Sequence, residues 1–174
     1  MKILLMGIIE CINQLIFFGI RNLVVINQLP FDRSPAYKTE TTNATKILYL
    51  MHNQILSQKI NETYLSLNTR LNIRLFDIYT FVSKIMDNYT AYGFENLDNC
   101  WDTESNTTVI INCQDITKRM FADEFHPTSA LHTLIAKEFY STLGGTILTS
   151  TGISLIFIHQ NFVFSIIINY LLLK

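Results

Sequence analysis

Asp123 and His126 stand three positions apart in the stretch ADEFHPTSALHTLIAKEFY, residues 122–140. A carboxylate can accept a hydrogen bond from one imidazole nitrogen and so fix the ring's tautomer. The other nitrogen is then free to take a proton from a hydroxyl nucleophile. The spacing also fits a solvated Asp123 beside a His126 that only caps a helix, and from these two residues alone both readings stay open. Pro127 suits a first helical position, where its missing N–H costs nothing. A final helix is therefore expected from 127 to about 143, stopped by Gly144 and Gly145, with His126 near its N-cap. His132, one turn further along, is expected on the helix surface or in packing.

The elements that must position this pair read as alternating helix and strand. Leu23, Val24, Val25 and Ile26 form a short continuous apolar run, as in a strand buried on both faces of a parallel sheet. Pro30 ends it, and the polar stretch FDRSPAYKTETTNAT with Pro35 reads as a loop. A helix over about 44–67 follows, with Leu48, Met51, Ile55, Ile60, Tyr64 and Leu67 facing inward and Gln54, Gln58, Lys59 and Glu62 facing outward. NIRLFDIYTFV reads as a second buried strand. A helix between two such strands is a crossover, which makes the strands parallel. TFVSKIMDNYTAYGF reads as a short helix and turn, followed by a long loop between Cys100 and Cys113. The fold class is thus α/β with an incomplete parallel sheet. Two strands alone do not make a stable sheet of this kind, so further strands lie in the chain ends or the sequence is part of a larger domain.

The chain has 174 residues and a formal net charge of -1, which gives no basis for nucleic-acid binding. Its mean hydropathy of +0.24 is high because apolar residues concentrate at 1–29 and 146–173. Cys100 and Cys113 flank CWDTESNTTVIINC, where either a loop disulfide or two free thiols fits. Without C-x-x-C or a His/Cys cluster, no metal site is expected. Asn43, Asn61, Asn88 and Asn106 each begin an Asn-x-Ser/Thr sequon. Four sequons beside a possible loop disulfide point to the secretory pathway.

The opening MKILLMGIIE has the start of a signal peptide, but Glu10, Asn13 and Gln14 interrupt it. A buried helix over about 3–18, ending at Gly19, is the favoured expectation. The tail from 146 to 174 is long enough to span a bilayer at roughly 20 residues. His159, Gln160 and Asn161 in its middle make a clean span costly. Its Ile, Phe, Asn, Tyr, Leu and Lys bias also fits translated AT-rich noncoding sequence.

At this point the chain resembles the GDSL, or SGNH, family of esterases and lipases. GIRNLVVINQLPFDRSP, NQILSQKINETY, IRLFDIYTFVSKIMDNYTAYGFEN and NCQDITKRMFADEFHPTSALHTLIA are similar to successive family blocks, in order, over about residues 19–143. The resemblance implies a three-layer α/β/α, flavodoxin-like sandwich, here partial, occupying 1–145 and followed by the apolar tail 146–174. It implies Asp123 as the acid that orients the base, His126 as the general base, and no cofactor. The implied chemistry is cleavage of carboxylic esters of lipids, other small molecules or acetylated carbohydrates through an acyl-enzyme on serine. Ala122 stands where the family usually has Trp. The family's nucleophile block, Gly-Asp-Ser, and its Gly-x-Asn-Asp block do not occur among the 174 residues, and Ser34 and Ser83 lack that context.

The expectation is therefore the C-terminal portion of a secreted GDSL-type ester hydrolase, from a truncated gene or gene model, inactive and aggregation-prone alone. Its partners would be ester substrates, with a membrane contact possible through 146–174. One alternative is a non-catalytic, membrane-anchored glycoprotein derived from that family. Another is a small protein with a membrane span at each end.

Overall fold

The computed structural model describes residues 2–37, 43–64, 71–105, 108–111, 113–142, 154–160 and 163–169. They form four α-helices and eight strands among short 3₁₀ turns, and the chain divides into two compact units.

The first unit comprises residues 1–28, 48–78 and 146–174. Helix α1, Lys2–Phe17, ends where Gly19 takes a φ of 93°, a left-handed conformation that suits glycine. It buries Ile8, Ile12 and Leu15, which recur at three- and four-residue steps, while Phe17 and Phe18 lie outside. Strand β1, Asn22–Ile26, has four consecutive buried residues, as its unbroken apolar run requires. Strand β2, Asn72–Phe76, pairs with it in parallel, Asn22 opposite Asn72 and Ile26 opposite Phe76. The crossover between them is helix α2, Asn43–Tyr64. Ile8, Ile12, Leu15, Leu23, Val25, Leu56 and Ile60 close over one another as this unit's core. The α/β class and the parallel β1–β2 pair are therefore present.

The face that α2 buries is the expected one only in its second half, where Ile60 lies inward and Gln54, Gln58, Lys59 and Glu62 outward. His52, Asn53, Leu56 and Ile60 point inward, whereas Leu48 is 57% exposed and Met51 43%. The first turns of α2 carry apolar side chains on both faces, so periodicity gave no unique answer. Asn53 decides it: its side chain accepts the Gln28 backbone N–H at 2.9 Å and donates to the Gln28 carbonyl at 3.3 Å. Of the expected inward residues, Ile55 is half-buried, Tyr64 ends the helix, and Leu67 lies outside the described residues.

The apolar tail contributes strands β7, Ser154–Gln160, and β8, Val163–Asn169, which pair antiparallel. β8 pairs antiparallel with β1, giving the order β2-β1-β8-β7. Among the described residues no helix is long and apolar enough to cross a membrane.

The second unit comprises residues 29–47 and 79–145. The loop after Pro30 folds into 3₁₀ turns at Phe31–Arg33 and Pro35–Tyr37. Helix α3, Ile78–Asp87, begins one residue after Asp77, so the second strand stops sooner than its apolar run suggested. Val82, Ile85 and Met86 pack inward from α3. Arg33 reaches back to α3 and pairs with Asp87 at 2.7 Å. Buried Asp32 accepts the Tyr79 hydroxyl at 3.3 Å. Burial, with the Asp32 charge beside it, pushes the Tyr79 phenol up to about 12.

The cysteine-flanked stretch, expected as a loop, is a hairpin of β4, Trp101–Ser105, and β5, Thr108–Ile111. Cys100 and Cys113 are bonded across its base, with their Cα atoms 4.9 Å apart. Strand β3, Asn96–Asn99, runs parallel to β6, Arg119–Phe121, a small second sheet that leads directly to Asp123 and His126.

Candidate active site

The site is built on the turn that leaves β6. Phe121 and Met120 are buried and fix the end of that strand. The chain then reverses through residues 122–126, and Pro127 forms an antiparallel bridge back to Phe121. Ala122 donates its N–H to the His126 carbonyl at 2.7 Å, closing the base of the loop. Trp101 in turn donates its N–H to the Ala122 carbonyl at 2.7 Å. On another side, Ala36 donates to the Glu124 carbonyl at 3.2 Å, and the Tyr37 and Phe125 rings meet edge to face at 6.4 Å.

Inside the loop Asp123 is the organising residue. Its Oδ1 accepts the backbone N–H groups of Phe125 at 2.9 Å and His126 at 2.7 Å, an Asx-type turn. Both carboxylate oxygens also reach the imidazole Nδ1, at 2.9 and 2.7 Å. Partial burial pushes the Asp123 carboxyl up. The two backbone N–H groups and the imidazole more than offset that and hold it below the ordinary carboxylate value. An ionised carboxylate facing Nδ1 places the ring proton there and leaves the Nε2 lone pair outward. The His126 side chain is 79% exposed, and Nε2 has no hydrogen-bond partner among the described residues. Such an imidazole can accept a proton from a hydroxyl brought to it from outside the loop.

His126 is not the helix N-cap. Helix α4 runs Ser129–Thr142, and Thr128 caps it. Thr128 Oγ1 accepts the Leu131 N–H at 3.4 Å and donates to the Arg119 carbonyl at 2.7 Å, while its backbone N–H bonds Met120. Pro127 is thus extended rather than first in the helix, because its neighbours are held against β6. The Thr in HPT was the available signal for this cap. His132 lies exposed on α4.

The serines without family context stay apart from the pair. Ser34 is buried, and the Oγ atoms of Ser34 and Ser83 have no hydrogen-bond partner among the described residues, His126 included. Asn43, Asn61 and Asn88 are exposed, and Asn106 lies outside the described residues.

A sequence model of the GDSL-like lipase/acylhydrolase family matches residues 4–139. The chain belongs to this family. A curated GDSL esterase/lipase of Arabidopsis thaliana is 29% identical to it over 148 residues, which is 75% of this chain and 39% of the relative. The chain therefore spans about two-fifths of the length of that relative. GDSL membership is carried by the run from α1 through α4, within which the Asp123–His126 turn lies.

Proposed function

We propose that this chain carries the acid–base half of a Ser-His-Asp ester hydrolase. In that reading Asp123 holds the ring and His126 Nε2 takes the proton from a serine hydroxyl as the oxygen attacks the ester carbonyl. The imidazolium returns the proton to the departing alcohol, and water then releases the acyl group by the same route. The substrate is a carboxylic ester of a lipid, another small molecule or an acetylated carbohydrate. The observation that carries the reading is the doubly bonded Nδ1 of His126, with Nε2 left free and facing solvent.

The 174 residues hold no Gly-Asp-Ser, so the chain alone is expected to leave p-nitrophenyl acetate untouched. The decisive experiment joins it to the part of the Arabidopsis relative that precedes the matched region. The fusion should hydrolyse the ester, and His126→Ala should lower turnover by about 10²–10⁴-fold. A fusion whose rate ignores that substitution would overturn the assignment of the base.

The chain is further proposed to mature in the secretory pathway, supported by the Cys100–Cys113 bond and the exposed Asn43, Asn61 and Asn88. The missing Gly-Asp-Ser also favours a second reading, a non-catalytic, membrane-anchored glycoprotein of the same descent. Carbonate extraction of the tagged chain separates the two, since release into the supernatant removes the anchor.

A further inference from the structure

A groove of about 400 Å³ lies beside α3 in the second unit, walled by Tyr79, Thr80, Lys84, Asn88 and Tyr92 among others. That is within the usual size of small-molecule sites, roughly 300–1,000 Å³. Asn88 begins the sequon Asn88-Tyr89-Thr90. The groove and the sequon therefore coincide.

The local backbone makes Asn88 a presentable acceptor. Helix α3 stops at Asp87, and Asn88 steps out of helical geometry with φ -138° and ψ 45°. It opens the 3₁₀ turn Tyr89–Tyr92, yet its side chain makes no capping bond, so the amide Nδ2 is not occupied by the turn. The turn itself is firmly tied. Ala91 donates to the Asn88 carbonyl at 3.1 Å, Gly93 to Thr90 at 3.1 Å and Phe94 to Tyr89 at 3.1 Å. Gly93 closes it with a φ of 88°, in the left-handed region. Tyr92 is thus a fixed wall and Asn88 an exposed amide at its edge, with no side-chain hydrogen bond among the described residues. The other described sequons sit differently. Asn43 is the first residue of α2, and Asn61 lies within that helix, where Glu62 of its own sequon is held by Lys59 at 3.0 Å.

We propose that Asn88 carries an N-linked glycan whose first sugar ring lies in this groove. This rests on the secretory reading above and goes beyond it by naming the site and the seat. In the modification, the C1–O bond of a lipid-diphosphate-linked oligosaccharide breaks and a C1–N bond forms to Asn88 Nδ2. The lipid diphosphate departs, and the amide loses one proton. The attached ring starts one bond from the groove. There the tyrosine rings offer apolar surface to its C–H face, and Lys84 and Thr80 offer polar groups to its hydroxyls.

The test uses the full chain, led into microsomes by a cleavable signal peptide, with single Asn→Gln variants at 43, 61, 88 and 106. Asn88→Gln should remove one glycan, and so should Thr90→Ala. Acceptance occurs on the nascent chain, so this reading does not need a folded product. On secreted wild-type chain, enzymatic release of the Asn88 glycan should be about ten-fold slower in native buffer than after denaturation, as one or two hydrogen bonds would impose. Tyr92→Ser should erase much of that difference. A glycan count unchanged by Asn88→Gln overturns the site, and equal native and denatured release rates on wild-type chain overturn the seat. Glycan analysis of the natural protein, with whatever precedes this sequence in it, tests the secretory reading alone. Unmodified chain there sinks that reading while the signal-led result still decides the groove.

Discussion

The Asp123 carboxylate holds His126 at two places, taking its backbone N–H at 2.7 Å through Oδ1 and its imidazole Nδ1 at 2.7 Å through Oδ2. One side chain therefore fixes both the path of the loop and the tautomer of the ring. Asp123→Asn separates the two tasks. The amide oxygen still accepts the backbone N–H groups of Phe125 and His126, so the loop persists. Its NH₂ group presents a donor to Nδ1, which drives the ring proton to Nε2. Nitrogen NMR of the imidazole should show the proton moved to Nε2. In the active fusion, turnover should fall on the order of 10⁴-fold. A ring still protonated at Nδ1 would sink the orienting role.

Acid should weaken the fold in two stages. Burial lowers the His52 imidazole from its ordinary 6.5, so the unfolded chain binds the proton more readily than the folded one. The stability this contributes is complete above 6.5 and declines as the pH falls below it. The Asp123 carboxyl is also held below its ordinary 3.8. Its contribution is complete above 3.8 and is lost as the pH falls through the depressed folded value. Urea midpoints between pH 8 and 2.5 should show both declines. His52→Gln should flatten the first and Asp123→Asn the second, and a midpoint that rises on acidification would contradict both.

How much of this was legible follows from what each signal depends on. The apolar run Leu23–Ile26 was legible as β1 because it is short, rich in β-branched residues and closely followed by Pro30, as suits a strand covered on both sides. The Asp123–His126 pair was legible because both groups lie within one turn and need no distant residue to meet. The start of α4 was not. Pro127 is compatible with a first helical position and with an extended one, and the bridge to Phe121 that chooses between them is tertiary. The hairpin at Trp101–Ile111 was hidden for a related reason: pairing across a long stretch appears only once its register is known. Further strands in the chain ends were one of two expectations, but their place in the tail was not legible because its apolar run suits a helix equally.

The inward face of α2 gives a contrast between two leucines on one helix. Leu56 is fully buried and packs in the first unit's core, so Leu56→Ala should cost about 2–5 kcal/mol. Leu48 is 57% exposed, and Leu48→Ala should stay within about 0.5 kcal/mol. Asn53→Ala should resemble Leu56→Ala more than Leu48→Ala, because it leaves the Gln28 N–H and carbonyl buried without these bonds. Denaturant unfolding of the three variants checks the assignment. Equal losses at 48 and 56 would mean that the helix buries the other face.

The hairpin between β3 and β6 depends on its covalent closure. Cys100 is buried at 2% exposure, and its N–H donates to the Phe121 carbonyl at 3.1 Å, one rung from the loop that holds Asp123. Cys100 and Cys113 are 13 positions apart, so joining them removes unfolded-state entropy equivalent to about 3 kcal/mol. Reduction, or Cys113→Ser, should lower stability by about that amount. It should also broaden the imidazole resonance of His126, because β4 and the Asp123 loop share the Trp101–Ala122 bond. Peptide mapping without reductant should recover the two cysteines in one linked fragment, with Cys11 unlinked. A linked fragment containing Cys11 would refute this pairing, and an unchanged His126 signal after reduction would show that the hairpin does not steady the site.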